Sequence, residues 1–216
     1  MKKEAKVSLF FAIGLLALFI VWTALVSTVD VQPIGPENSE VGFATFNGYF
    51  HSLTGVHLWL YELTDLLSII PLLFVIGFAC LGLFQLIKSR KITGVDYSIL
   101  ALGGFYIAVF ASFLFFETFV INYRPILIEG VLEASYPSST TMLAMTIMPT
   151  AIMQLYSLIK NKRSANIICA IMIAFSAFMV IGRIISGVHW ITDIIGGALL
   201  SAALVMLYWF ACNLKK

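Results

Sequence analysis

The chain has 216 residues, of which 61% are apolar and only 11% charged, and a mean hydropathy of +1.00. That composition excludes a soluble globular domain, and the small net charge of +2 gives no support for nucleic-acid binding. It suits a chain lodged in a bilayer, where each helical crossing takes about 20 mainly apolar residues.

Six stretches reach or approach that length: 8–29, 66–87, 97–120, 139–159, 165–185 and 191–211. They are long apolar runs and not short alternating ones, so they predict helices and not barrel strands. The expected fold is all-α, a polytopic bundle of six transmembrane helices, with residues 1–216 forming one integral membrane domain. The first stretch follows Met1-Lys2-Lys3, but its run is too long for a signal-peptide core and no small-x-small cleavage site follows; it reads as a retained span. Residues 30–65 form the longest connection. Its first part, with Pro33 and Pro36, reads as an irregular loop. Its second part, with His51, His57, Trp59 and Tyr61, reads as an amphipathic segment at the membrane interface. Cys80, Cys169 and Cys212 are too scattered for a disulfide framework or a thiolate metal site and read as small buried residues.

Eleven of the thirteen Lys and Arg fall in four clusters: Lys2/Lys3/Lys6, Lys88/Arg90/Lys91, Lys160/Lys162/Arg163 and Lys215/Lys216. The excess of positive charge on cytoplasmic loops assigns all four, and both termini, to the inside. The retained first span and the basic inner loops suit a bacterial cytoplasmic membrane. Arg124 and Arg183 break the pattern and fall at the outer side. An arginine at the end of an apolar helix is costly unless it is paired, snorkelled or facing a polar cavity.

Both stand near groups suited to an anion. Pro137-Ser138-Ser139-Thr140 reads as the first turn of a helix, whose free N–H groups favour negative charge; an ordinary Ser cap is the plainer reading. His189 and Asp193 are four apart, on one face if a helix begins near 189. The carboxylate can then hold one imidazole nitrogen and leave the other free as nucleophile or base. Two arginines, a helix N-terminus and an oriented histidine at one depth make a phosphate pocket, because the planar guanidinium offers paired donors to phosphate oxygens. No acidic cluster points to a dinuclear metal, so neither metal nor cofactor is expected.

In this arrangement the chain resembles the type 2 phosphatidic acid phosphatase (PAP2) superfamily of six-helix membrane lipid phosphatases, whose motifs are Lys-x6-Arg-Pro, Pro-Ser-Gly-His and Ser-Arg-x5-His-x3-Asp. The third is present as Gly182-Arg183-x5-His189-x3-Asp193, with Gly for Ser. The first keeps Arg124-Pro125 but has Glu117 for Lys. The second keeps Pro137-Ser138, with Ser139 for Gly and Thr140 for His. The resemblance implies that His189 attacks phosphorus to form a phosphohistidine, that Asp193 orients it, and that Arg124, Arg183, Ser138 and Ser139 hold phosphate oxygens. It also implies that the acid which protonates the leaving group is missing, since Thr140 cannot supply that proton near neutral pH. Such a loss typically removes about 10²–10⁴ in rate. Glu117 would repel phosphate unless it turns away and pairs with an arginine. His57 is the candidate substitute for the acid. Two readings stay open: a phosphatase for a lipid or polyprenyl phosphate or diphosphate at the outer membrane interface, and a catalytically silent protein that binds or carries such a lipid. A transporter fits less well, because no charge pattern marks the span midplane.

Overall fold

A computed structural model describes residues 3–214, so Lys2, Lys215 and Lys216 of the terminal basic clusters lie outside the described residues. The α-helices are α1 (Lys3–Thr28), α2 (Ala44–Thr54), α3 (Leu58–Leu67), α4 (Ile69–Ser89), α5 (Tyr97–Thr118), α6 (Ser139–Leu158), α7 (Lys162–Ser186) and α8 (Ile191–Leu214). Six helical stretches among the described residues are long and apolar enough to cross a membrane, the second being Leu58–Ser89, which joins α3 to α4. The outward faces are themselves apolar, with Phe10 74%, Ile107 72% and Ile171 64% exposed, a surface suited to hydrocarbon and not to water.

The second stretch differs from the sequence expectation. Residues 58–65 belong by sequence to an interfacial connection, because the stretch from Val41 to Leu67 mixes aromatics, Gly, His and acids and is too polar for a span. Instead α3 runs into α4 through Ser68, which is itself in the right-handed helical conformation. The polar Thr64 and Asp65 are satisfied: Thr64 donates to the Leu60 carbonyl at 2.9 Å, and Asp65 accepts from Arg183 of α7 at 3.1 Å.

The core joins α1, α5, α6 and α8 through residues such as Phe19, Leu102, Phe105, Met148, Leu200 and Tyr208. On α1 the buried Ala5, Ala12, Phe19 and Val26 recur every seven residues, one stripe down the helix. Buried Gly196, Gly197, Ser201 and Ala203 on α8 allow close helix approach. A Cβ at Gly196 would come within 2.5 Å of the Tyr136 ring.

The segments 29–57, 119–138 and 187–190 gather at one end of the bundle. There His57 N–H donates to the Ser186 carbonyl at 2.9 Å, and Asn47 Nδ2 donates to Thr192 Oγ1 at 2.9 Å. Gly187, at φ 65°, ends α7 in the left-handed conformation and lies so close to Gly55 that a Cβ would meet its carbonyl at 1.8 Å. The short links 90–96 and 159–161, which carry Arg90, Lys91 and Lys160, connect the other ends of these helices.

Candidate active site

The site is built on a small hairpin-like loop between α5 and α6. Arg124 N–H donates to the Glu133 carbonyl at 3.0 Å, and Ser135 N–H donates to the Asn122 carbonyl at 2.9 Å. These bonds set Asn122 opposite Ser135 and Arg124 opposite Glu133, so the side chains of each facing pair work in the same place. Tyr136 anchors the loop to α1, with its hydroxyl 2.6 Å from Thr23 Oγ1 and its ring stacked on Phe19.

Asp193 opens α8 and is fully buried. It accepts from Ser135 Oγ at 2.5 Å, from Asn122 Nδ2 at 3.1 Å and from Trp190 N–H at 3.0 Å. Three donors satisfy a carboxylate that would otherwise be costly to bury. His189 sits just before α8 and is 5% exposed. Its Nδ1 is 4.0 Å from Asp193 Oδ2, too far for a hydrogen bond, but 2.9 Å from Ser135 Oγ. Its Nε2 lies 3.3 Å from Arg124 Nη1. Burial holds the His189 imidazole well below its ordinary 6.5, and the Arg124 and Arg183 charges push the same way against an opposing backbone hydrogen bond at Ser135. The ring is therefore neutral, with a lone pair available to an electrophile.

The arginines flank one aromatic ring. Arg183 lies 4.7 Å and Arg124 5.5 Å from the centre of Tyr61. Each is held by a carboxylate that sequence reasoning did not single out: Arg124 Nε is 2.9 Å from Glu133, and Arg183 Nη2 is 3.1 Å from Asp65. Arg183 also donates to Thr140 Oγ1. The two hydrogens on Arg183 Nη2 serve the hydroxyl and the carboxylate together.

Two cavities adjoin here. A small polar one is lined by Glu117, Arg124, Ser135, Ser139 and His189, with Phe113 and Met142 at its apolar side. A large one of about 900 Å³ runs between α4, α5 and α6, from Asp65, Ser139 and Thr140 to Leu86 and Ile92, and Phe113, Ser139 and Met142 line it too.

The expected residues are thus divided. Arg124, Ser139, His189 and Glu117 face one cavity, with Asp193 behind it. Ser138 does not: it is fully buried, and its Oγ caps α6 by accepting from Thr141 N–H at 3.5 Å. Glu117 pairs with neither arginine, since Glu133 and Asp65 hold those positions. His57 Nε2 lies 3.0 Å from the Thr54 carbonyl and lines neither cavity. His51 shares a small void with His189, and its Nε2 is 3.1 Å from the Gly187 carbonyl. Ser135, Asn122, Asp65, Glu133 and Tyr61 were missed because each looks like an ordinary loop or interface residue until the fold pairs it. Among the described residues no three His, Cys, Asp or Glu side chains converge as metal ligands.

Gly182, where the family motif has Ser, has a local reason. A Cβ there would come within 2.7 Å of Thr64 Cγ2 at the contact of α7 with α3.

Comparison with known proteins bears on the family and the fold. The family profile of the PAP2 superfamily matches residues 118–215, a stretch that includes the hairpin loop, Thr140, Arg183, His189 and Asp193. No curated protein sequence matches the chain. Among solved structures, the chain is similar to the crystal structure of the first transmembrane PAP2 type phosphatidylglycerolphosphate phosphatase from Bacillus subtilis. The TM-score is 0.65 at 16% identity, over 96% of this chain and 98% of that one. At this identity the likeness is one of fold alone, a six-helix transmembrane bundle.

Proposed function

We propose that this membrane protein, whose residues 118–215 are of the PAP2 superfamily, is a phosphatase that cleaves a terminal phosphate from a lipid, with lipid diphosphates favoured. The observation that carries this reading is that the two cavities adjoin, with Phe113, Ser139 and Met142 lining both. A polar pocket lined by a histidine and an arginine lies there against an apolar groove suited to a hydrocarbon tail, the same three side chains lining both. The charge clusters argue that this end faces outward, with the substrate entering sideways from the outer leaflet of a bacterial cytoplasmic membrane.

In the proposed reaction His189 Nε2 attacks the terminal phosphorus, the P–O bond to the lipid breaks, and the lipid oxygen departs with the electron pair. Arg124 and, after it releases Asp65, Arg183 hold the phosphate oxygens as charge builds. Ser139, at the first turn of α6, adds its N–H and hydroxyl. Water then attacks the phosphohistidine, giving inorganic phosphate and free His189. Thr140 cannot protonate the departing oxygen, so a leaving group that is stable as an anion is needed. A lipid monophosphate expelled from a diphosphate meets that need; an alkoxide expelled from phosphatidic acid does not.

A second reading is a protein that binds or carries lipid phosphates without turnover. It is favoured by Glu133 and Asp65, which already neutralise both arginines. Phosphate release in detergent from a polyprenyl diphosphate and from phosphatidic acid decides between the two. Turnover of the diphosphate that disappears in His189→Ala supports the phosphatase. Tight binding of the same lipids with no release by the parent chain supports the carrier.

A further inference from the structure

The His189–Asp193 pair is not in direct contact: 4.0 Å separates Nδ1 from Oδ2. Ser135 fills the gap, with its Oγ 2.9 Å from Nδ1 and 2.5 Å from Oδ2. We infer that Ser135 is a positioning residue through which Asp193 fixes the tautomer of His189, with the proton on Nδ1 and the lone pair on Nε2. A serine hydroxyl has one proton to give. Were that proton directed to Nδ1, an oxygen lone pair would face an acceptor-only carboxylate at 2.5 Å, which is repulsive. Directed to Asp193, it makes the short charge-assisted bond that this distance suits. Oγ can then only accept, so Nδ1 must carry a hydrogen.

The surroundings hold the relay in place. Ser135 is 3% exposed and its N–H is bound to the Asn122 carbonyl at 2.9 Å, while Asn122 Nδ2 takes the other oxygen of Asp193. Arg124 and Arg183 are the cations acting on His189, and Arg124 Nη1 faces Nε2 at 3.3 Å. A donor there also requires an unprotonated Nε2, so both sides of the ring demand the same tautomer. When Nε2 forms a bond to phosphorus the ring becomes positive. The serine dipole then conveys the Asp193 charge to it, and no proton changes hands.

The kinetic consequence rests on the phosphatase reading; the tautomer does not. The test is ¹⁵N NMR of the full chain in detergent with labelled histidine, in which only three residues give signals and His189→Gln assigns the one that matters. The expected result is an Nδ1–H, unprotonated-Nε2 pattern for His189, retained in Ser135→Thr and shifted towards Nε2–H in Ser135→Ala. Predominant Nε2–H in the parent, or an unchanged pattern in Ser135→Ala, overturns the inference. Diphosphate turnover on the same samples should fall on the order of 10²-fold in kcat at near-constant KM in Ser135→Ala, as misorientation of a reacting group does, with recovery in Ser135→Thr. Absent turnover in a parent that shows the Nδ1–H pattern defeats the phosphatase reading and leaves the relay standing.

Discussion

Thr140 accepts a hydrogen bond from Arg183 at the position where the family motif has its acid histidine. The guanidinium proposed to grip phosphate is thereby tied to a hydroxyl, which in the proposed reaction leaves the departing oxygen without a proton donor. Substituting Thr140→His should raise turnover of phosphatidic acid by about 10²-fold or more, the usual scale of a restored general acid. Turnover of a polyprenyl diphosphate should rise far less, because its leaving group needs no proton. The ratio of kcat/KM for the two substrates reads this directly, and equal gains on both would contradict the role assigned to Thr140.

His189 should give the chain a characteristic pH dependence. Its pKa in the folded chain lies well below the 6.5 of an exposed histidine, through burial and the two arginines. As pH falls the unfolded chain therefore binds the proton first. Stability from this residue is complete above about pH 6.5 and declines below it, until the folded pKa is passed. The acid limb of turnover should likewise lie below 6.5. Thermal melting in detergent between pH 7 and 5 should show a smaller slope in His189→Gln than in the parent.

Glu133 meets Arg124 at 2.9 Å with its own side chain 40% exposed, and in the proposed site it would compete with phosphate for that guanidinium. A half-exposed pair of this kind contributes on the order of 1 kcal/mol or less. Glu133→Gln should therefore lower the inhibition constant of inorganic phosphate by a few-fold, more at low salt than at high. Arg124→Ala should raise it at least tenfold. Inhibition curves at two ionic strengths check both.

Gly182 and Thr64 should be coupled. Gly182→Ser brings a Cβ to 2.7 Å from Thr64 Cγ2, an overpacking that typically costs about 1–3 kcal/mol. Thr64→Ala removes the obstructing methyl, so the double variant should melt above Gly182→Ser. Additive losses in the double-mutant cycle would show that the contact is not what excludes Ser.

The apolar groove has room for a side chain to start at Gly103. Gly103 lines it, and nothing lies within 4 Å of a Cβ built there. Gly103→Leu should raise KM for a long-chain lipid diphosphate and leave a short, water-soluble diphosphate ester unaffected. An equal effect on both would place the tail elsewhere.

The fold was largely legible because a bilayer imposes a pattern that needs no partner to be seen. A helix in hydrocarbon must be apolar for about 20 residues whatever it packs against, so five of the six spans fall where hydropathy alone puts them, within a few residues. The remaining one, Leu58–Ser89, extends further towards the N-terminus than hydropathy alone puts it, because the mix of His, Gly and acids before residue 66 looks unfit for a span until α7 brings Arg183 to meet Asp65. The same limit governs the site. His189, Asp193, Arg124 and Arg183 could be named from the sequence because their spacing is local and arginine is out of place at the end of an apolar run. Ser135, Asn122, Glu133 and Asp65 could not. Their roles arise from pairings across the 119–138 loop and between α3 and α7, which only the tertiary structure makes. The opposite holds for Ser138, which looked like a phosphate ligand and is taken by its own helix cap. Residue type and local spacing determined what chemistry was available. Which hydroxyl lies between His189 and Asp193, and which carboxylates hold the arginines, was decided by three-dimensional packing, because hydrogen bonds act over about 3 Å and sequence separation carries no record of that distance.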